Sequence, residues 1–201
     1  MKIALLDYGA GNVASVERAL HRLGAESNRA AFPSDLANAN RIILPGVGHF
    51  AALIRALDER RLREPLMTAI RRGIPFLGIC LGLQALYERS EEAPGLAGLA
   101  IFAGEVRALP SNVKLPHMGW NRIRVSRRSE LLHGLSEQDY FYFAHTFAAT
   151  ESSSEVVATC DHGAQFTVVL QKENIFGVQF HPEKSGAAGA RVLRNFLRLA
   201  A

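Results

Sequence analysis

The stretch Ile74-Pro75-Phe76-Leu77-Gly78-Ile79-Cys80-Leu81-Gly82 decides the fold of this chain. Its apolar first half is typical of a buried strand, and apolar residues then recur at helical spacing through residue 87. Glycines at 78 and 82 let a strand and a helix approach closely, so residue 80 can adopt a strained backbone conformation. This order is a nucleophile elbow with cysteine in place of serine, and the dipole of the following helix favours a thiolate. The alternative is a buried, unreactive cysteine beside packing glycines.

The flanking segments repeat the order of strand and helix. Residues 2–7 and 41–44 are apolar runs typical of strands buried on both faces, and helical spacing follows over residues 13–23, 51–60 and 62–72. The alternation predicts an α/β fold with an open, mixed, mainly parallel sheet and helices on both faces. Short strands, some antiparallel, are predicted at residues 106–108, 120–125, 140–143, 156–159, 166–170 and 175–180, before a closing helix that contains residues 192–199. Residues 1–201 are expected to form a single domain.

Composition excludes several classes of function. A chain of 201 residues buries roughly 70% of its unfolded surface, and no apolar stretch approaches the roughly 20 residues that cross a bilayer. With no signal-peptide pattern, we expect a soluble cytoplasmic protein. Two cysteines, at 80 and 160, form no disulfide framework and no metal-ligand spacing, so we expect neither metal nor cofactor. The net charge of +4 comes with scattered arginine pairs, which indicate solvated surface instead of a nucleic-acid site.

A candidate base and its orienting group follow the last predicted strand. In an extended segment, His181 and Glu183 would point to the same side, so the carboxylate could bind one imidazole nitrogen and leave the other free. Pro182 would stiffen the pair. The alternative is a surface turn, but the ends of parallel strands meet at one edge of a sheet, where Cys80 also lies.

The loop Pro45-Gly46-Val47-Gly48 closes a third strand at the same edge. Backbone amides freed by glycine flexibility are what an oxyanion hole needs, and the amide of Leu81 would supply a second donor. The alternative is a simple glycine-containing turn. Together, the elbow, the histidine–glutamate pair and this loop predict nucleophilic catalysis by a cysteine.

These motifs resemble those of the class I glutamine amidotransferases. Residues 78–84 are similar to the nucleophile motif of that family, and residues 179–183 are similar to the other half of its triad. The blocks at residues 7–12, 45–48, 115–121 and 181–185 extend the resemblance over nearly the whole chain. The resemblance implies that Cys80 attacks glutamine, that His181 transfers protons, and that Glu183 orients the imidazole.

The same resemblance implies a set of substrate contacts. The amides of Leu81 and Val47 would hold the oxyanion, with rotation of the Val47 peptide. The glutamine head group would be contacted or bordered by Gly46, Gly48, Gln84 and the backbone around His145, Thr146 and Phe147. Where Thr146 and Phe147 stand, the family often has serine and tyrosine. Phe147 can make no side-chain hydrogen bond, and it could equally be a core residue.

Within the family, the chain most resembles glutaminase subunits of histidine biosynthesis. These imply a heterodimer with a cyclase subunit of (β/α)8 barrel fold, which receives the ammonia and makes imidazole glycerol phosphate and aminoimidazole carboxamide ribotide. Lys184, Tyr142 and Trp120 would face that partner, although Trp120 could also be a core residue. Asn12 would brace the loop at 45–48 or simply belong to a turn, and Cys160 would be structural.

Other functions remain open from the sequence. The chain could be the glutaminase subunit of pyridoxal phosphate or anthranilate synthesis, against which the block at residues 116–121 argues. It could also be a non-catalytic activating subunit, which the intact Cys80, His181 and Glu183 disfavour. A cysteine hydrolase acting on esters would need no partner.

Overall fold

The computed structural model describes residues 1–9, 12–150 and 153–199, so Ala10 and Gly11 in the predicted first turn lie outside the described residues. The strands are β1 (Ile3–Leu6), β2 (Ser27–Ala30), β3 (Arg41–Gly46), β4 (Phe76–Cys80), β5 (Tyr87–Ser90), β6 (Phe102–Ala108), β7 (His117–Arg122), β8 (Arg124–Val125), β9 (Tyr140–His145), β10 (Phe147–Ala149), β11 (Val156–Asp161), β12 (Gln165–Lys172) and β13 (Ile175–Val178). The α-helices are α1 (Val13–Arg22), α2 (Phe50–Glu59), α3 (Arg63–Arg71), α4 (Leu81–Gln84) and α5 (Gly186–Arg198).

The main sheet has the strand order β2-β1-β3-β4-β13-β12-β11-β8. Each pair from β2 to β13 is parallel, whereas β12, β11 and β8 continue the sheet in antiparallel pairs. The predicted mixed, mainly parallel sheet is therefore confirmed. β4 and β13 are adjacent and parallel, so the segments that carry Cys80 and His181 leave the sheet at the same edge.

Helices cover both faces of this sheet, as the strand–helix alternation predicts. Alternate residues of β1 pack into two different cores: Ile3 and Leu5 join the core that contains α1 and α5, and Ala4 and Leu6 join the core that contains α2 and α3. Strands buried on both faces explain why their sequences are continuous apolar runs. Within the described ranges, no helix combines the length and the apolar character needed to cross a membrane.

Two small sheets differ from the sequence prediction. β10, β6 and β5 form one, and β7 and β9 form an antiparallel ribbon. The predicted helix after Cys80 is only one turn long, because Tyr87 begins β5 and its ring packs against Phe102 with centroids 6.0 Å apart. The strand predicted at 120–125 is in fact two: β7 pairs with β9, and β8 pairs with β11. β2 is not predicted, since only Ala30 in it is buried.

Candidate active site

Cys80 ends β4 with φ 54° and ψ −106°, a conformation that is strained in a residue other than glycine. Its glycine neighbours make this possible. A Cβ atom on Gly82 would lie 2.0 Å from the carbonyl oxygen of Leu44, and one on Gly78 would lie 2.5 Å from the carbonyl oxygen of Gly82. The predicted elbow is confirmed, but α4 has only four residues. The interpretation based on a helix dipole is therefore weakened, because one turn carries little of the aligned dipole.

His181 and Glu183 form the predicted pair by a different backbone path. Nδ1 of His181 lies 2.9 Å from Oε1 of Glu183, and their side chains are 2% and 0% exposed. His181 itself is extended, with φ −97° and ψ 96°, but Pro182 begins a 3-10 turn that runs to Lys184. The expected extended tripeptide is thus wrong: the turn, begun by the proline that fixes its own φ, brings the two side chains together.

The protonation of His181 is set by its two neighbours. Burial alone would lower the pKa of the imidazole, but hydrogen bonds to Cys80 and Glu183 outweigh it and raise that pKa to about 10. The imidazole is consequently stabilised in its charged form between a thiol and a carboxylate. A charged imidazole beside the sulfur of Cys80 can donate a proton, and this is the kind of surrounding in which reactive cysteines occur.

Two further side chains hold the pair in place. Nδ2 of Asn12 donates to Oε1 of Glu183 over 2.9 Å. The hydroxyl of Ser185 donates to the carbonyl oxygen of His181 over 2.6 Å and accepts from the backbone amide of Tyr142 over 2.9 Å. The sequence suggested that Asn12 braces the loop at 45–48 or belongs to a turn, but the side-chain hydrogen bond that the described residues give it goes to the Glu183 carboxylate. Ser185 belongs to the sequence block 181–185, but its residue type alone did not indicate that it would hold the backbone of His181.

The loop after β3 lies beside the elbow. Gly46 pairs with Cys80 across β3 and β4, and a Cβ atom on it would lie 2.6 Å from the Cβ atom of Leu81. Gly46 is thus needed for packing beneath the elbow. The hydroxyl of Tyr8 lies 3.4 Å from the carbonyl oxygen of Val47, so Tyr8 takes the bracing part expected of Asn12. Burial raises the pKa of Tyr8 to about 12, which keeps its hydroxyl a donor.

A cavity of about 230 Å³ opens next to the cysteine. The predicted residues that line it are Val47, Gly48, Cys80, Leu81, Gln84, His145, Thr146 and Phe147. Gly46 is the predicted substrate residue that is absent from this lining among the described residues, and Glu92, Pro116, Met118 and Ala144 complete it. Glu92 was missed because it lies in the long loop after β5. Its carboxylate accepts from the amide of Phe50, at the start of α2, over 2.7 Å.

Two polar side chains lie within hydrogen-bond distance of the carbonyl oxygen of Phe147, behind the cavity. Nε2 of Gln84 lies 2.7 Å from it, and Nδ1 of His145 lies 3.0 Å from it. The Phe147 ring packs against the core on the α2 and α3 side while it also lines the cavity, so both interpretations of this residue hold. Residues 145–147 all line the cavity, and the side chain of His145 also points into a buried network.

Two neutral imidazoles, those of His145 and His117, form the centre of that network. Nε2 of His145 lies 3.1 Å from Nδ1 of His117, and Nε2 of His117 lies 3.4 Å from Nδ2 of Asn121. Burial lowers the pKa of His145 to about 3 and that of His117 to about 4, each with a smaller contribution from neighbouring histidines. Since a carbonyl can only accept, the contacts assign Asn121 as donor to His117, His117 as donor to His145, and His145 as donor to Phe147.

The residues expected at a partner surface form one exposed cluster. Trp120 is 55% exposed, which excludes a core position, and its ring packs edge-on against that of Tyr142 at 5.9 Å. Nζ of Lys184 lies 5.7 Å from the centre of the Tyr142 ring. Asn12 instead hydrogen-bonds to Glu183, the residue before Lys184. Cys160 is buried, and burial raises the pKa of its thiol to about 12, as expected of a structural cysteine.

The chain is similar to known proteins over nearly its whole length. Residues 4–200 match the family described as glutamine amidotransferase class-I. The chain is 45% identical over 197 residues to the imidazole glycerol phosphate synthase subunit HisH of Methanothermobacter thermautotrophicus, with 98% of each chain covered. It is 43% identical over 200 residues to the protein of the same name from Pyrococcus furiosus, with 98% of this chain and 99% of the relative covered.

Solved structures share the fold at lower sequence identity. A crystal structure of a glutamine amidotransferase aligns with a TM-score of 0.78 and 19% identity, and it covers 97% of this chain and 96% of its own. The PurLQS structure from Thermotoga maritima aligns with a TM-score of 0.75 and 20% identity over 98% of this chain and 97% of its own. These structures therefore share the overall fold of this chain.

Proposed function

Because the chain belongs to the class-I glutamine amidotransferase family, we propose that it hydrolyses L-glutamine to glutamate and ammonia. It does so as the glutaminase subunit of imidazole glycerol phosphate synthase, in the histidine pathway of the cytoplasm. The observation that carries the chemistry is that Cys80 lies in the cavity wall with His181 and Glu183 hydrogen-bonded behind it.

The first half of the reaction forms a thioester. The sulfur of Cys80 attacks the side-chain carboxamide carbon of glutamine, and the C=O electron pair moves onto oxygen. When the tetrahedral intermediate collapses, the carbon–nitrogen bond breaks and His181 donates its proton to the departing ammonia. Glu183 keeps the imidazole oriented and stabilises its charged form throughout, with Nδ1 bound at 2.9 Å.

The second half restores the enzyme. Neutral His181 accepts a proton from water as the water oxygen attacks the thioester carbon, and the carbon–sulfur bond then breaks to release glutamate. The negatively charged oxygen of both intermediates faces the amides of Leu81 and Val47 in this proposal. Leu81 is the first residue of α4, where a helix has no internal acceptor for the amide. A donor of this kind typically contributes about 3 kcal/mol to transition-state stabilisation.

The charges and polar groups of the cavity fit the head group of an amino acid. Glu92 is the one carboxylate among the described residues that line the cavity, and it suits the substrate ammonium group. Gln84 donates its Nε2 protons to Phe147 and Gln179, at 2.7 and 3.1 Å, so its oxygen remains free to accept from the substrate. Backbone groups of residues 145–147 complete the contact.

The ammonia needs a receiving subunit, and the exposed face around Trp120 fits a docking surface. We propose that the cyclase subunit, a (β/α)8 barrel, binds there to form a heterodimer. Met118 both lines the cavity and is 63% exposed, so the cavity reaches this face. Trp120, Tyr142 and Lys184 stand beside it as an aromatic anchor with a cation over one ring.

The proposal is tested by measuring glutamate release from glutamine with and without the cyclase subunit and its ribotide substrate. Wild type is expected to have low activity alone and strong stimulation in the complex, and Cys80→Ala is expected to have none in either state. Equal turnover by Cys80→Ala would exclude the thioester mechanism. Full activity of the wild-type subunit alone would exclude a coupled subunit and favour an independent hydrolase.

A further inference from the structure

Gln179, in the segment between β13 and His181, contacts the sulfur of Cys80 from a position outside the cavity lining. Its side chain is fully buried, and Nε2 lies 3.4 Å from the sulfur of Cys80. Within the described residues, Gln179 is not part of the cavity lining, whereas Cys80 is. Gln179 is therefore not exposed to a ligand in the cavity, but it does contact the sulfur. It can act on the sulfur itself.

The orientation of the Gln179 amide is fixed by its neighbours. Its Oε1 lies 3.1 Å from Nε2 of Gln84, which can only donate. Nε2 of Gln84 is in turn held by the carbonyl oxygen of Phe147 at 2.7 Å, so the Gln84 amide cannot be reversed without opposing two oxygens. The NH₂ group of Gln179 must therefore face the sulfur, because the alternative orientation would place its oxygen against a thiolate.

Resting on the proposed glutaminase function, we propose that Gln179 is a second hydrogen-bond donor to the Cys80 thiolate. Unlike His181, Gln179 keeps its protons throughout the reaction. His181 donates to the sulfur only while it is protonated, and it loses that proton when ammonia leaves. Gln179 donates before, during and after this transfer. It thus stabilises the thiolate that attacks glutamine and the thiolate that departs when the thioester is hydrolysed.

This donor also compensates for the burial of the site. Cys80 is 5% exposed, so water contributes little to solvating a charged sulfur there. The short α4 cannot supply a strong dipole either. Two fixed donors, one charged and one neutral, replace that solvation and hold the sulfur along one direction from the strained backbone of the elbow.

The decisive variant is Gln179→Met, which keeps a side chain of similar length but removes the donor. Alkylation of Cys80 by iodoacetamide, followed by peptide mass spectrometry at each pH, gives the titration midpoint of this thiol separately from that of Cys160. We expect the midpoint to rise by about one pH unit and kcat in the cyclase complex to fall about tenfold, with KM for glutamine changed less than twofold. Gln165→Met, at an exposed glutamine of β12, is the matched control and should leave both unchanged.

The readouts separate this inference from the proposed function. Alkylation needs no glutamine, so a wild-type protein that releases no glutamate would overturn the glutaminase proposal and still report the thiol midpoint. An unchanged midpoint and an unchanged kcat in Gln179→Met would overturn the role of Gln179. If Gln179→Met does not fold by circular dichroism, Gln179→Asn decides: its shortened amide should raise the midpoint, and wild-type values would overturn the inference.

Discussion

Asn12 and Glu183, separated by 171 residues in sequence, share one hydrogen bond in which Nδ2 of Asn12 lies 2.9 Å from Oε1 of the carboxylate. The same oxygen is bound at 2.9 Å by His181, so a single atom of Glu183 joins the imidazole of His181 to the residue before α1. The other oxygen, Oε2, is buried and has no hydrogen-bond partner within the described residues. The position of Glu183 therefore depends on the two donors at Oε1.

Removing the donor at Asn12 is expected to weaken catalysis without affecting substrate binding. Asn12→Ala should lower kcat about tenfold at constant KM, because a hydrogen bond to a charged group contributes about 1.5–3 kcal/mol. Asn12→Asp should lower it further, since a second carboxylate would then face Glu183. Steady-state glutamate release in the cyclase complex measures both, and Asn28→Ala, at an exposed position of β2, is the control. Equal kcat for Asn12→Asp and wild type would contradict this reasoning.

Glu92 offers a test of substrate recognition. Glu92→Gln removes the negative charge but keeps an oxygen that can accept from the Phe50 amide, now bound at 2.7 Å. We expect KM for glutamine to rise about tenfold or more with kcat nearly unchanged, because a charge-assisted hydrogen bond to the substrate ammonium is lost while the start of α2 stays capped. Glu91→Gln, at the preceding exposed position, should behave as wild type. A KM of wild-type size in Glu92→Gln would exclude this contact.

The neutral pair His117 and His145 predicts acid sensitivity of the fold. Their pKa values of about 4 and about 3 lie below the ordinary 6.5. As pH falls below 6.5, these histidines become protonated in the unfolded chain but stay neutral in the folded chain. The stability is complete above pH 6.5 and is lost as pH falls toward 4. At pH 5, His145 would lower the free energy of unfolding by about 2 kcal/mol, and His117 would add less because solvent screens its charge.

Urea unfolding between pH 7.5 and 4 measures this slope. In His117→Gln, one of the two titrating groups is gone, so the free energy of unfolding should depend less steeply on pH even if it is lower throughout. His21→Gln removes an exposed histidine of α1 and should keep the wild-type slope. A slope in His117→Gln as steep as that of the wild type would show that other groups cause the acid sensitivity.

We expect Tyr8 to restrain the loop at residues 45–48, which carries the proposed oxyanion donor Val47. Its hydroxyl lies 3.4 Å from the carbonyl oxygen of Val47, next to the peptide that we expect to rotate. Tyr8→Phe removes only this hydroxyl and should raise glutamate release by the isolated subunit about two- to tenfold, the range that one neutral hydrogen bond allows. The rate in the cyclase complex should change less. Tyr140→Phe, at a half-exposed ring of β9, serves as the control, and a fall in the isolated rate of Tyr8→Phe would refute the restraint.

The close contact at Gly82 predicts a severe effect on folding. In Gly82→Ala, the new methyl group would lie 2.0 Å from the Leu44 carbonyl oxygen, so β3 and α4 would have to separate. We expect the loss of several kcal/mol of stability or of soluble protein. Gly73→Ala is the comparison: it has φ +84° but open space, and should lose only about 1–2 kcal/mol. Denaturant unfolding that ranks the two variants in the opposite order would contradict the elbow packing.

Much of the fold follows from patterns that are local in sequence. Apolar runs bounded by glycine predict β1, β3 and β4, because strands buried on both faces need no polar alternation. The order of elements then requires a parallel sheet. The elbow was equally predictable, since the glycines beside Cys80 are needed by contacts that any such turn must make.

The remainder depends on contacts between distant segments. Helical spacing over residues 81–87 fits both a longer helix and the observed single turn, and only pairing with β6 decides for a strand at Tyr87. Asn12 illustrates the same limit at the site, because its partner Glu183 is 171 residues away and no sequence spacing reports it. The roles that we propose for Glu92 and Gln179 escape sequence analysis for the same reason. A carboxylate in a loop and an amide beside a motif can be given a role only from the groups that they contact in the fold.

The alternation of side chains along β7 has an evolutionary consequence. His117 and Asn121 point into the protein and belong to the network behind the cavity beside Cys80, while Met118 and Trp120 point outward and are more than half exposed. Met118 also lines the cavity, whereas Trp120 is not among the described residues that line it. If the proposed docking surface is used, substitutions at Trp120 can therefore change which subunit is recognised without altering the cavity wall, and this one position of a six-residue strand lets the domain be adapted to a new recipient of ammonia.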